Sequence, residues 1–213
     1  MEPAVPPAIE SIVEPVIEPL LDPASGAPQP HEATLVARFD DAVDRAFDGL
    51  RGTPAADRLF YSLTELADFS LLWHVIGFGR ALPARGAKGD RLAREAVELS
   101  VVLGVESLVV NQGIKSLFRR QRPVHQGERP HRLRTPLTSS FPSGHASAAF
   151  VAAAVLSRDR RLAVPAYGLA TLVASSRVYV RIHHASDVVG GAAVGLALGL
   201  VARKVLGRRH QRH

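Results

Sequence analysis

Five apolar stretches separated by short polar segments make up most of the chain after residue 68. We interpret each stretch as a helix. They cover residues 69–82, 97–114, 146–157, 162–176 and 188–206. None contains the uninterrupted run of about 18 apolar residues that marks an unambiguous transmembrane span. The stretches therefore predict an all-α fold, while hydropathy alone does not decide whether its helices cross a membrane.

The last stretch carries a repeat of small residues. Gly191, Gly195 and Gly199 fall four apart, so they share one helix face and let a neighbouring helix approach closely, as in membrane packing. A soluble helix rarely contains three glycines in its interior, because each one destabilises it. The repeat favours a membrane-embedded helical bundle of about five spanning helices.

The N-terminal part of the chain differs in composition from the rest. Residues 1–32 contain eight of the fifteen prolines and no Lys or Arg, which predicts a disordered acidic tail. A secretory signal needs a basic start and an unbroken apolar run, and neither is present. Between residue 31 and about residue 63, apolar positions recur at helical spacing, which predicts an amphipathic helix at the membrane interface. Residues 33–206 are then one domain, and residues 207–213 a basic tail.

Charge and cysteine content narrow the possible functions. The chain has no cysteine, which excludes disulfides, thiolate nucleophiles and cysteine-based metal sites. Its net charge of +6 suits a polyanionic partner such as phosphate, an anionic membrane or nucleic acid. If the five helices span a membrane, twelve basic residues in the connecting segments and the C-terminal tail lie on one side of it and nine lie on the other. The positive-inside bias then places the twelve in the cytoplasm.

The first candidate functional cluster is Lys115 followed by Arg122-Pro123. Seven positions make nearly two helical turns, so both cations project from one face if the helix continues that far. Pro123 disfavours helix at Arg122 and ends it there. A solvated basic helix end is the alternative interpretation.

The second cluster is Pro142-Ser143-Gly144-His145, directly before an alanine-rich apolar run. Ser143 is a credible N-cap, and the first free backbone N–H groups, with no side chain on Gly144, form an anion cradle. His145 then stands in the first turn beside this cradle. An ordinary capped helix with an exposed histidine is the alternative.

The third cluster contains Arg177, His183 and Asp187. His183 and Asp187 are four apart, so on a helix a carboxylate can hold one imidazole nitrogen and leave the other free to attack. His184 has no such partner. A surface His–Asp pair remains an alternative, as does a metal site. The candidate metal ligands are His145, His183, His184 and Asp187.

Together the clusters resemble the three signature motifs of the type-2 phosphatidic acid phosphatase (PAP2) superfamily, which includes the vanadium haloperoxidases. The motifs are Lys, six residues, Arg-Pro; then Pro-Ser-Gly-His; then Ser-Arg, five residues, His, three residues, Asp. Every specified position is filled and in order, which makes an accidental match very improbable. The resemblance covers residues 57–206. Within the superfamily, the chain resembles small bacterial membrane phosphatases that act on polyprenyl-linked substrates.

The resemblance implies a lipid phosphate phosphatase of the cell membrane that needs neither cofactor nor metal. The positive-inside bias, which puts the twelve basic residues in the cytoplasm, predicts that its site faces outward. Its substrate would be a phosphomonoester or pyrophosphate of a polyprenyl- or glycerolipid-linked molecule. His183 would form a phosphohistidine, Asp187 would orient its ring, and His145 would protonate the leaving group and then activate water. Phosphate would be bound by Lys115, Arg122, Ser143, Gly144 and Arg177. The three cations would supply the charge that Mg²⁺ provides in other phosphoryl-transfer enzymes.

Two other functions stay open at this stage. A vanadium-dependent haloperoxidase shares the motifs, although such proteins are generally longer and soluble. The basic segment 119–134 could bind anionic lipid or nucleic acid without catalysis, but it lacks aromatic side chains for base stacking. Binding alone also leaves the pairing of His183 with Asp187 unexplained. We therefore expect a lipid substrate and a membrane as partners, and no nucleic acid.

One further candidate residue is identified by its position in an apolar stretch. Glu106 lies in the middle of the second apolar stretch, and an ionisable group at membrane depth is a functional candidate by default. Pairing with a polar group on a neighbouring helix is the simpler interpretation.

Overall fold

The computed structural model describes residues 34–124, 133–134 and 138–210. The acidic tail at residues 1–32 and the last three residues of the basic tail lie outside these ranges. The chain divides into two units. In the first, residues 1–38, only Thr34 and the first turn of a helix are described. Residues 39–213 form the second and larger unit.

The described ranges are helical and contain no strand, which confirms the predicted all-α fold class. They form seven α-helices. These are α1 Leu35–Asp48, α2 Pro54–Leu66, α3 Leu71–Ala81, α4 Gly86–Ser107, α5 Gly144–Leu156, α6 Arg160–Tyr179 and α7 Ala185–His210. A short 3₁₀ turn, Asp68–Ser70, precedes α3, and α4 continues through a π turn, Leu108–Gly113, and a 3₁₀ turn, Ile114–Leu117.

The amphipathic region before residue 66 forms two helices, α1 and α2, so the prediction of a single helix there is wrong. The break falls between Asp48 and Pro54. Gly52 adopts a φ of 80°, a conformation that other residues rarely tolerate. Pro54 then opens α2, where its missing N–H costs no hydrogen bond.

Helix α2 packs into the larger unit. Its Phe60 and Tyr61 are buried, and the ring of Phe60 stacks on Tyr179 of α6 with centroids 4.4 Å apart. The Tyr179 hydroxyl donates to the carboxylate of Asp57 and to the carbonyl of Leu50. Helix α2 is therefore anchored to the C-terminal end of α6, which is the end that bears the third motif.

The five apolar stretches all lie in helices, α3 to α7, as predicted. Within the described part of the chain, two helices are long and apolar enough to cross a membrane, judged by length and composition. These are Gly86–Leu117, with 32 residues, and Ala185–Gly207, with 23. Helix α5 is apolar but has only 13 residues. A count of about five spans therefore stays a prediction.

Close packing of α5 against α7 confirms the role predicted for the glycine repeat. A Cβ atom on Gly191 would lie 2.3 Å from the carbonyl oxygen of Ser143, and one on Gly195 would lie 2.2 Å from that of Ser147. A Cβ atom on Gly199 would lie 2.6 Å from Cβ of Ala154 and 3.1 Å from the backbone of Val151. Because the contacts advance in step along both helices, α5 and α7 run parallel and begin side by side.

Candidate active site

Four helix ends meet where α5 and α7 begin and α4 and α6 finish. The backbone N–H of Ser143, before α5, donates to the carbonyl of Asp187, in the first turn of α7, at 2.9 Å. Two helix N-termini with their free N–H groups thus lie together, which favours a bound anion. Each of the three motifs contributes side chains to this region.

His183 and Asp187 are buried together, with 2% and 0% of their side chains exposed. Nδ1 of His183 lies 3.6 Å from Oδ2 of Asp187 and 3.4 Å from Oγ of Ser140, whose hydroxyl donates to the same carboxylate. The expectation that a helix brings the pair together is wrong, because α7 begins at Ala185 and His183 stands in the preceding turn. They still meet because Asp187 folds back to accept the N–H of His184 at 2.9 Å.

Arg122 lies against the other ring nitrogen of His183. Its Nη1 atom is 3.0 Å from Nε2 of His183 and donates to the carbonyl of Ile182 at 3.0 Å. The imidazole therefore has a carboxylate on its Nδ1 side and a guanidinium on its Nε2 side. Nε2 is the nitrogen placed where a phosphate held by Arg122 would lie.

Arg122 reaches this position from an extended segment. The first motif is expected to stay helical up to Arg122, but the helix ends at Leu117. The reason is an alternative set of backbone hydrogen bonds. The carbonyl of Arg120 accepts the N–H of Ser140 at 2.9 Å, which ties the segment to the residues preceding α5.

Lys115 and Arg177 bring two more cations to the region. Only 6% of Lys115 and 2% of Arg177 is exposed. A Cβ atom on Gly144 would lie 3.6 Å from Nζ of Lys115, so the ammonium group adjoins the N-terminus of α5. Arg177 donates to the hydroxyl of Thr64. A buried ammonium group beside a helix N-terminus favours a bound anion such as phosphate.

The second motif behaves locally as predicted. Ser143 is the N-cap of α5, and its Oγ accepts the N–H of Ala146 at 3.5 Å. In the first turn, Nε2 of His145 lies 2.8 Å from Oδ1 of Asp68, which orients the ring. Burial would raise the pKa of Asp68, but the hydrogen bond and charge of His145 hold it below its usual value. Asp68 therefore remains an ionised partner for His145.

The electrostatic environment keeps His183 neutral. Burial lowers the pKa of its imidazole. Asp187 opposes this shift, while the positive charges of Arg177 and Arg122 add to it. A lowered pKa leaves a lone pair on the ring at neutral pH, and an attacking nitrogen requires that lone pair.

Two charged side chains that sequence reasoning missed hold Asp187 in place. Arg120 donates from Nη1 to Oδ1 of Asp187 at 2.7 Å and from Nη2 to Oδ2 of Asp40 at 2.6 Å. Asp40 is only 5% exposed and also accepts from the N–H and hydroxyl of Ser186, at 2.7 and 2.8 Å. Asp40 interrupts the apolar face of α1, and that interruption is the signal that could have located it. Arg120 carries no comparable signal, because it lies among the unspecified residues of the first motif.

The metal alternative has no geometric support in the described part of the chain. There, no three His, Asp or Glu side chains lie close enough together to hold a metal ion. The two motif histidines instead face different carboxylates, His183 facing Asp187 and His145 facing Asp68.

Comparisons with known proteins identify the family of this chain. The family model of the PAP2 superfamily matches residues 95–211. A Mycolicibacterium smegmatis protein described as decaprenylphosphoryl-5-phosphoribose phosphatase is 33% identical over 167 residues, which cover 78% of this chain and 84% of that protein. A Mycobacterium tuberculosis protein with the same description is 38% identical over 98 residues, 46% of this chain. That match spans only about half, 54%, of the M. tuberculosis protein.

A solved structure shows the same fold. The crystal structure of a transmembrane PAP2-type phosphatidylglycerolphosphate phosphatase from Bacillus subtilis matches with a TM-score of 0.60 at 24% identity, covering 94% of both chains. The family match extends over more than half of the chain and includes all three motifs. It begins within α4, so the helices α1 to α3 lie outside it. This chain belongs to the PAP2 superfamily.

Proposed function

We propose that this protein is a lipid phosphate phosphatase of the cell membrane. It hydrolyses a phosphomonoester, or the terminal phosphate of a diphosphate, on a polyprenyl- or glycerolipid-linked substrate. The observation that carries the proposal is the buried His183, with Asp187 on its Nδ1 side and Arg122 on its Nε2 side. The names of its relatives, which describe phosphatases of polyprenyl-linked and glycerolipid phosphates, support the substrate class.

In the first step Nε2 of His183 attacks phosphorus in line. The N–P bond forms as the P–O bond to the lipid alkoxide breaks, and His145 gives its proton to the departing oxygen. Asp187 stabilises the positive charge that develops on the His183 ring. The phosphoryl oxygens are held by Lys115, Arg122, Ser143, Gly144 and Arg177.

In the second step water hydrolyses the phosphohistidine. His145, now neutral, takes a proton from the water, whose oxygen attacks phosphorus as the N–P bond breaks. Inorganic phosphate leaves and His183 is regenerated. The fixed cations neutralise the phosphoryl charge in both steps, so the reaction proceeds without a metal.

Helix composition supports a location in the membrane with the site facing outward. Helices α4 and α7 supply two spans. The outward orientation rests on the sequence after residue 84, where the segments predicted at the end away from the site carry twelve basic residues and those predicted at the site end carry nine. Because the chain has no cysteine, a single introduced cysteine reports its own side. In intact cells a membrane-impermeant maleimide is expected to label Val124→Cys at the site end but not Leu82→Cys. Both positions are more than 80% exposed, and the reverse labelling would invert the proposed orientation.

The direct test of the activity is phosphate release from a panel of lipid and polyprenyl phosphates in detergent with excess EDTA. We expect turnover of at least one monoester or diphosphate, with a phosphohistidine trapped by rapid quenching. The absence of turnover across the panel, or strict dependence on an added metal, would overturn the proposal.

A further inference from the structure

Helix α6 ends in a turn that leads directly to His183. The N–H of Arg181 donates to the carbonyl of Val178 at 2.9 Å. The N–H groups of Ile182 and His183 both donate to the carbonyl of Arg177, at 3.1 and 3.2 Å. The bonds made by Arg181 and Ile182 are those of a Schellman motif, which closes many helices. The turn therefore sets the position of His183 relative to Arg177.

Arg181 occupies the position of this motif that glycine usually fills. Its φ is 51°, in the left-handed region, where a Cβ atom crowds the backbone. Glycine would adopt the same conformation without this cost. The reason for an arginine at this position therefore lies in its side chain.

Two carboxylates of α1 bind the guanidinium of Arg181. Nε and Nη2 of Arg181 donate to Oδ2 of Asp44 at 3.2 and 3.1 Å, and Nη2 also donates to Oδ1 of Asp48 at 2.8 Å. Burial would raise the pKa of Asp44, but the hydrogen bonds and charges of Arg181 and Arg51 hold it below its usual value. Asp44 is therefore an ionised partner for Arg181 at neutral pH.

Arg51, which follows α1, joins the same two carboxylates to the end of α6. Its Nη1 donates to Oδ1 of Asp48 at 2.6 Å, and its Nη2 donates to Asp44. Its Nε and Nη2 donate to the carbonyls of Tyr179 and Val178, at 3.0 and 3.1 Å. A cation is favourable at this end of a helix, where the carbonyl groups carry partial negative charge. The carboxylates of α1 thus hold both the end of α6 and the turn that follows it.

A third carboxylate of α1 contacts the chain on the other side of His183. Asp40 accepts the N–H of Ser186 at 2.7 Å. Asp40, Asp44 and Asp48 are four apart, so they lie on one face of α1. This face contacts the chain both before and after His183. Helix α1 lies outside residues 95–211, so these contacts are not part of the family match.

We propose that α1 is a positioning element of the active site, in which Asp44 and Asp48 fix the place of His183 by holding the side chain of Arg181. The inference rests on the proposed function, because it concerns the alignment of His183 with phosphorus. The side chains of Asp44 and Asp48 are 37% and 53% exposed, and ion pairs of such residues add little to stability. Their effect is instead on geometry, since a small displacement of a nucleophile slows its attack.

The first variant is Arg181→Gly, which suits the left-handed backbone and removes the contacts with α1. In detergent, kcat for a lipid phosphate is expected to fall about 10- to 100-fold with KM changed less than about twofold. The rate of phosphohistidine formation in a single turnover is expected to fall by the same factor, and the melting temperature to stay close to that of the wild type. If the conformation of the turn alone mattered, Arg181→Gly would keep or raise the wild-type kcat, and that result would overturn the inference.

The second variant replaces both carboxylates, Asp44→Asn and Asp48→Asn, and leaves the sequence of the turn unchanged. It is expected to show the same loss of kcat, and adding Arg181→Gly to it is expected to cause no further loss, because all three changes break one contact. Arg181→Lys keeps the charge and is expected to recover part of kcat. The matched control is Asp41→Asn, an exposed aspartate of the same helix, which is expected to keep the wild-type kcat. Losses that multiply in the combined variant would show that the carboxylates act independently of Arg181, against the inference.

The failures of the two proposals are distinguishable. If Arg181→Gly does not fold, the carboxylate variant decides, and a wild-type kcat there overturns the inference. A raised KM at unchanged kcat also overturns it, because Arg181 would then act in substrate binding. In each of these cases the phosphatase stands. If the wild-type protein releases no phosphate from any lipid phosphate, the proposed function fails and the inference fails with it.

Discussion

The two histidines of the site stand in unlike surroundings. His183 is 2% exposed, and its partner Asp187 is itself held by Arg120 and by other donors. His145 is 17% exposed, pairs with Asp68 and borders a groove of about 460 Å³ that lies between α3 and α4. The half of the site that would carry the phosphoryl group is thus closed and fixed, whereas the half that would receive the leaving group is open. This difference suits a constant chemistry combined with a variable substrate, because precise geometry is needed only where bonds form and break.

The same contrast appears in the helix packing. On the closed side, α5 and α7 touch through glycines that have no room for a side chain. On the open side, Gly104 of α4 borders the groove, and a Cβ atom there would meet nothing within 4 Å. Four sets of variants test whether the two halves differ in this way.

The largest effect is expected at the centre of the closed half. His183→Ala is expected to lower turnover by at least about 10,000-fold and to abolish the phosphoenzyme, because no other group replaces the nucleophile. The measurement is phosphate release together with acid-quench trapping. His184→Ala is the control and is expected to keep most activity, because its hydrogen bonds with Asp187 are made by its backbone. Equal loss from both variants would show that the wrong histidine has been chosen.

The next effect is expected in the open half. His145→Ala is expected to lower kcat/KM for an alkyl phosphate about 100- to 10,000-fold, the usual range for losing a general acid. The loss is expected to be much smaller for a nitrophenyl phosphate, whose leaving group departs without a proton. The measurement is the ratio of the two kcat/KM values. A loss of the same size on both substrates would contradict the role of His145 as the acid.

A smaller effect is expected from the residues that hold Asp187. Arg120→Gln is expected to lower kcat about 10- to 100-fold with little change in KM, because displacing the carboxylate misaligns the His183 ring. Arg119→Gln is the matched control, since Arg119 is an exposed neighbour. Arg120→Lys is expected to recover part of the loss. Unchanged kcat in Arg120→Gln would show that Asp187 does not need this support.

The smallest effect on activity, and a clear one on stability, is expected from the glycines. Gly195→Ala is expected to destabilise the fold by about 1–3 kcal/mol, since its Cβ would overlap the carbonyl oxygen of Ser147. Gly104→Ala is expected to leave stability unchanged or raise it by up to about 1 kcal/mol through helix propensity. Thermal unfolding of both variants in detergent measures the difference. Similar melting temperatures would mean that the two sides are packed alike.

Much of the site could be predicted because its residues lie in short motifs with fixed spacing. The N-cap at Ser143 and the glycine repeat of α7 were predicted from local rules, and the structure agrees with both. The end of the first motif was not, because the helix stops at Leu117 in favour of hydrogen bonds to a segment about twenty residues away. Asp40 and Arg120 were missed for the same reason, since Arg120 joins Asp40 to Asp187 and these residues lie far apart in the chain.

The sequence by itself determined that the chain is helical, which residues are chemically competent and which helix face admits a close neighbour. Periodicity, capping and residue chemistry are local properties, and they act over a few positions. Only the tertiary structure decided that Asp68 is the carboxylate that faces His145, which ring nitrogen of His183 faces Arg122, and that Arg120 and Asp40 support Asp187. These depend on how the helices pack, and packing is set by contacts between residues far apart in the chain.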